Sequence, residues 1–151
     1  MKRKIVTDIT SLKMPCRVVE VEDKELVTQI VGDLKDTFAP LRSRGCGLAA
    51  NQIGYSLKVA LLRLRSGEEI LMVNPKIEDG FNPIKFNEGC FSFSGITTIT
   101  KRFSRVVLSY TDFNTGEVAV KELKGMDAIA AQHEVDHLMG RTMFDRKWRA
   151  K

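Results

Sequence analysis

Two histidines, three cysteines, four prolines and one tryptophan among 151 residues are few, and each scarcity excludes something. Three cysteines cannot all pair, so no disulfide framework is expected, and Cys16, Cys46 and Cys90 read as thiols. With little proline and no repeat or low-complexity segment, nothing suggests a linker, and the length fits one domain over residues 1–151. No apolar run could span a bilayer, so no membrane partner is expected. After Met1-Lys2-Arg3-Lys4, only Ile5 and Val6 precede Thr7 and Asp8; without a signal core, the protein is expected to be cytoplasmic. The net charge of +5 is too modest to predict a specific nucleic-acid partner, and the basic residues Arg146, Lys147, Arg149 and Lys151 read as a solvated, frayed tail.

What is present patterns as helix, strands, helix. Asp23 resembles a helix N-cap, and behind it Leu26, Ile30, Leu34 and Phe38, widened by Val27 and Val31, form an apolar stripe that Pro40 closes. Arg42 to Gly54 has three glycines and two alanines and reads as backbone that others approach closely. Val59 to Leu64 and Ile70 to Val73 flank a Ser66-Gly67 turn and predict one hairpin; Arg105 to Asp112 and Glu117 to Leu123 predict a second. Asp79 to Pro83 reads as loop. A last helix begins near Met126 and ends at Gly140, a suitable left-handed C-terminal residue.

Both histidines lie on that last helix, in Gln132-His133-Glu134-Val135-Asp136-His137. Four residues apart, His133 and His137 share one face and can chelate a single divalent metal. Glu134 would sit beside the ion, able to take a proton from a metal-bound water, the arrangement used for metal-assisted hydrolysis of amides. A catalytic site ordinarily needs a third protein ligand. Beyond His137 there is no histidine and Asp145 is the sole acid, so the ligand comes from upstream and the usual zinc endopeptidase arrangements fail. Cys90 is the best candidate, since Gly89 before it lets the backbone approach; Cys16 reads as core packing. Glu88 and Asp136 are candidate acceptors for the imidazole N–H groups.

Three ordered stretches then carry a resemblance. Gly45-Cys46-Gly47-Leu48-Ala49-Ala50-Asn51-Gln52, Glu88-Gly89-Cys90-Phe91-Ser92 and Gln132-His133-Glu134-Val135-Asp136-His137 resemble the motifs of the peptide deformylase family, over about Ile5 to Phe144. The resemblance implies an α+β fold, with small antiparallel β-sheets packed around a central metal-binding helix. It implies a hydrolase that removes formyl from N-terminal formyl-methionine of nascent polypeptides and releases formate. The metal ligands would be Cys90, His133 and His137, holding one divalent ion. Iron(II) is the expected native ion, and Zn2+, Ni2+ or Co2+ suit the same ligands. Glu134 would be general base and then acid, while Gln52 and the Phe91 backbone N–H would hydrogen-bond the developing oxyanion. An extended peptide would pair with Cys46, Gly47 and Gly89, and Phe86, Met126, Ile129 and Ala130 would line the methionine pocket, although core packing explains those apolar residues nearly as well.

The sequence also departs from the family pattern. Cys46 stands where an aliphatic residue is expected, Phe91 where leucine is commoner, Ser94 where proline is usual and Thr97 where an arginine often lies near the mouth of the site. Many members continue into a C-terminal helix tied in some to ribosome docking; this sequence stops at Lys151, so the ribosome is only a weakly supported partner. A monomer is expected because no apolar stripe is left over. The alternative function is a catalytically silent metal- or peptide-binding module that keeps the fold; Glu134 and Gln52 speak against it, since binding alone needs neither.

Overall fold

A computed structural model describes residues 1–149. Its strands are β1 (Gly47–Ala49), β2 (Val59–Arg63), β3 (Glu69–Gly89), β4 (Thr97–Asp112) and β5 (Val118–Lys124), and its helices α1 (Ile9–Leu12), α2 (Lys24–Phe38) and α3 (Gly125–Leu138). The five strands form one antiparallel sheet in chain order. Along β2, Val59 and Leu61 alternate with Ala60 and Leu62, and all four are buried, so this part of the sheet has core on both faces. Val59 and Leu61, with Leu71 and Val73 of β3, pack under Val27, Ile30, Val31, Leu34 and Phe38 of α2. Ala60 and Leu62, with Ile70, Met72, Val106 and Leu108, pack against Ala128, Ala131, Val135 and Leu138 of α3. Each fully buried large aliphatic contributes about 1.5–3 kcal/mol to holding the layers together. No helix among the described residues is long and apolar enough to cross a membrane.

The α+β class is as expected, with one difference in detail: the strands join into a single sheet. The joining element is β3, which runs through Asp79–Pro83, the stretch with a loop-like composition. Cross-strand packing overrides that composition. The Phe103 ring covers Gly80, where an added Cβ would lie 2.3 Å from Phe103 Cδ2, and the Arg105 guanidinium stacks on Phe81 at 4.3 Å from the ring centre. Pro75 is tolerated because the pairing with β4 is irregular between Val73 and Lys76.

Two smaller readings also change. Leu26 is 38% exposed, so the α2 stripe begins at Val27. Asp23 does precede α2 but makes no side-chain cap to it; its carboxylate instead accepts from both Arg17 guanidinium ends, at 2.8 and 2.9 Å, and from the Glu20 N–H at 2.7 Å. The tail is not frayed through Trp148: Arg146 is bonded to Asp136, Lys147 bridges Thr100 of β4, and the Trp148 N–H donates to Ile99 at 2.8 Å. Lys151 lies outside the described residues.

Candidate active site

Helix α3 is unusual in burying polar residues. Gln132, Glu134, Asp136 and His137 all lie below one-tenth exposure, a costly arrangement unless each finds a partner. Gln132 finds the backbone of β4: its Nε2 donates to Phe103 O at 2.8 Å while its Oε1 accepts from Phe103 N–H at 3.0 Å. That clamp ties the centre of α3 to the sheet. The chain then leaves α3 through Gly140, whose φ of 76° and proximity to the Lys13 carbonyl, 2.6 Å from an added Cβ, leave room for no side chain.

The helical spacing brings His133 and His137 together, with Nε2 atoms 3.0 Å apart. The turn after β3 delivers Cys90, whose Sγ is 3.3 Å from His137 Nε2. The ligand atoms of Cys90, His133 and His137 all lie within 4.8 Å of one another. The His133 Nδ1–H donates to Glu88, which assigns the proton to Nδ1 and leaves Nε2 as a lone pair. The same tautomer in His137 would place a second lone pair at Nε2, beside that of His133 and the Cys90 sulfur. A divalent cation satisfies that arrangement, whereas without one two acceptors face each other. The donor set therefore fits a metal.

Glu88 is set by its neighbours. Arg102 donates Nε to its Oε2 at 2.9 Å and Nη2 to its Oε1 at 2.6 Å, and Thr100 Oγ1 donates to Oε2 at 2.8 Å. Burial opposes ionisation of Glu88, but the bonds from Arg102 and His133 prevail and hold its carboxyl well below the usual range. Asp136 does not meet an imidazole; it accepts from Arg102 Nη1 at 2.6 Å and from Arg146. The buried Arg102 thus links both acids. Inspection of the motifs alone misses it, although two acids beside buried ligands imply a base, and Thr100 and Arg102 are polar at two successive inward positions of β4.

Glu134 is 3% exposed and its Oε1 has no partner among the described residues. Burial pushes its carboxyl up to about 7, against the opposing charge of His133. Its other oxygen presses on β1: a Cβ at Gly47 would lie 2.9 Å from Glu134 Oε2. Gln52 is oriented from the opposite side. The Ala49 N–H donates to its Oε1 at 3.0 Å, which turns its Nε2 toward Ser92 Oγ at 3.1 Å and Cys90 Sγ at 3.4 Å. The turn that carries Gln52 is itself anchored, since Asn51 Nδ2 donates to the His137 carbonyl at 2.6 Å.

A cleft of about 700 Å³ opens onto these groups. It is lined by Gln52, Cys90, Phe91, His133 and Glu134, by Cys46, Gly47 and Gly89, and by Phe86, Met126, Ile129 and Ala130. His137 lies behind this wall, fully buried. Cys46 faces the cleft, and burial followed by the charges of Glu134 and Asp127 pushes its thiol up. The Phe91 ring lies over Gly45, where an added Cβ would be 2.3 Å from Phe91 Cζ, so the larger side chain uses the space a glycine leaves.

An α+β fold that gathers one cysteine and two histidines beside a buried glutamate defines the class of a metal-dependent hydrolase. The chain belongs to the polypeptide deformylase family, whose model matches residues 2–151. It is 39% identical over 147 residues to the peptide deformylase of Aquifex aeolicus, covering 93% of this chain and 85% of that protein. Its fold superposes on a peptide deformylase from Legionella pneumophila with a TM-score of 0.88, at 31% identity, covering 98% of this chain and 87% of that one. A class I type b peptide deformylase from Acinetobacter baumannii, crystallised with Met-Ala-Ser bound, gives a TM-score of 0.86 at 25% identity over 97% of this chain and 99% of that one.

Proposed function

We propose that this enzyme removes the formyl group from N-terminal formyl-methionine of nascent polypeptides, with Cys90, His133 and His137 as metal ligands. The observation that carries the reading is the convergence of those three ligand atoms on a cleft whose wall presents a buried, unpaired Glu134 Oε1. Iron(II) is the ion assigned through the family, and two imidazoles with a thiolate suit zinc, nickel and cobalt as well. A divalent ion held there supplies Lewis acidity and makes water a nucleophile near neutral pH.

The chain's own groups supply the rest. Glu134 takes the proton from water as it adds to the formyl carbon, then gives it to the departing nitrogen; formate and the free amine are the products. Gln52 Nε2 and the Phe91 N–H hydrogen-bond the oxygen as it becomes negative, and the fixed Gln52 amide makes that donor preorganised. The peptide adds as an extended strand along Cys46, Gly47 and Gly89. β1 is the edge of the sheet, which supports this mode. Phe86, Met126, Ile129 and Ala130 receive the methionine side chain. The Met-Ala-Ser seen bound to the Acinetobacter enzyme supports a product of this type.

The test is formate release from formyl-Met-Ala-Ser beside acetyl-Met-Ala-Ser, using protein purified anaerobically and reconstituted with iron(II), nickel or zinc. Release from the formyl peptide alone is expected. No release with any stoichiometrically bound metal would replace this reading with a silent binding module.

A further inference from the structure

Glu88 ends neither the hydrogen-bond path from His133 nor the ion pairing. Arg102 spends Nε and Nη2 on Glu88 and reaches with Nη1 to Asp136 Oδ2 at 2.6 Å. Arg146 grips the same carboxylate through both oxygens, with Nε to Oδ2 at 3.0 Å and Nη2 to Oδ1 at 2.8 Å. The side chains of Arg102, Glu88 and Asp136 are 2%, 3% and 9% exposed, and that of Arg146 38%. Two carboxylates are thus balanced by two guanidinium groups in a row that starts at an imidazole and ends at the surface.

The segment bearing Arg146 is fixed at several points. Thr142 and Asp145 cap its turn reciprocally, with Thr142 N–H donating to Asp145 Oδ2 at 2.9 Å and Phe144 N–H to Thr142 Oγ1 at 3.3 Å. Met143 is buried. Phe144 meets Phe93, in the turn just after Cys90, edge to face at 4.9 Å between ring centres. Lys147 bridges Thr100, whose hydroxyl is a donor to Glu88. Lys85 lies over the Trp148 ring at 4.9 Å.

We propose that residues Thr142 to Trp148 form a strap that positions the metal ligand His133, with Arg146 as its positioning residue acting through Asp136, Arg102 and Glu88. The inference rests on the assignment of Cys90, His133 and His137 as ligands. Remove the Arg146 charge and, among the described residues, Asp136 keeps Arg102 as its only cationic partner, with one carboxylate buried in excess. Arg102 is then drawn toward Asp136 and its two-pronged hold on Glu88 loosens. The His133 ring, oriented by Glu88, loses definition at Nε2. Groups that directly orient a ligand change metal affinity about 10–100-fold when removed, and Arg146, further along the row, belongs at the low end.

The test uses the full chain freed of metal with a chelator and titrated with cobalt(II), following the thiolate charge-transfer and ligand-field bands, with affinity measured by chelator competition. R146M should bind cobalt(II) about tenfold more weakly than wild type and release it faster, with altered ligand-field bands. R146K, whose ammonium cannot span both Asp136 oxygens, should fall between. KM for the formyl peptide should not move, because the peptide lies in the cleft and not on the strap. Wild-type cobalt(II) affinity and spectrum in R146M, even with a lower Tm of the metal-free protein, would make Arg146 merely structural and overturn the proposal. If R146M does not fold, R146K decides, and wild-type affinity there overturns it equally. A wild-type protein that takes up no cobalt(II) defeats the ligand assignment and the strap with it, whereas wild-type uptake with an unchanged variant defeats the strap alone.

Discussion

Gly47→Ala adds one methyl group to the place where strand β1, strand β2 and the Glu134 carboxylate meet. The new Cβ would lie 2.7 Å from the Leu61 carbonyl oxygen and 2.9 Å from both Cγ and Oε2 of Glu134. The first contact is with backbone inside the β1–β2 ladder, where Gly47 pairs with Leu62 and Leu48 with Leu61, so it yields only by opening that edge. The second is with a side chain, which turns away. Overpacking of this kind costs about 1–3 kcal/mol, a fall in Tm of roughly 2–12 °C at about 2–4 °C per kcal/mol for a chain of this size. Displacing Glu134 by about 1 Å costs roughly 100-fold in turnover. Gly32→Ala is the control: nothing lies within 4 Å of its added Cβ and it sits inside α2, so it should gain about 0.5–1 kcal/mol. Thermal unfolding and formate release, the latter well below both midpoints, read the two effects separately. A G47A protein matching wild type in both, or a G32A protein as unstable as G47A, would exclude overpacking at Gly47 as the cause.

Cys90→Ala should abolish stoichiometric metal binding with little change in fold, and metal analysis after gel filtration checks it; full occupancy would exclude Cys90 as a ligand. Gln52→Glu keeps shape but replaces the N–H that faces Cys90 and Ser92, so kcat should drop about 10²–10³-fold at unchanged metal content, and a wild-type kcat would remove the oxyanion role. Burial pushes the Cys16 thiol from its ordinary 9.0 up to about 11, slightly offset by Lys58. Because the folded protein holds this proton more tightly than the unfolded chain, the contribution is complete below pH 9 and is lost as pH rises through 11. Wild type should therefore lose more Tm between those values than Cys16→Ala does, and equal slopes would contradict the burial argument.

Local pattern revealed the elements whose stability is local. The α2 stripe, both hairpins and the Gly140 stop follow from periodicity and turn chemistry, and the four-residue spacing of His133 and His137 alone brings their Nε2 atoms within 3.0 Å. The lack of a donor downstream of His137 pointed upstream, and Gly89 made Cys90 the best candidate there; its Sγ lies 3.3 Å from His137 Nε2. What was not legible depends on partners distant in sequence. Asp79–Pro83 has a loop's composition and becomes strand because Phe103 and Arg105 pack on it. Arg146 looked like solvated tail because its partner, Asp136, is defined only once Arg102 has approached from β4. Asp23 precedes α2 as expected, but its side chain is taken by Arg17, a competition the capping pattern cannot weigh.

In the proposed mechanism Glu134, beside a metal held by Cys90, His133 and His137, moves the proton on which deformylation depends. The most direct test compares formate release from formyl-Met-Ala-Ser by wild type and Glu134→Gln loaded with the same metal to the same stoichiometry. The amide cannot accept the proton, so turnover should fall at least about 10²–10⁴-fold with metal content and peptide affinity unchanged. Turnover by Glu134→Gln within a few-fold of wild type would remove Glu134 as the group that carries the proton.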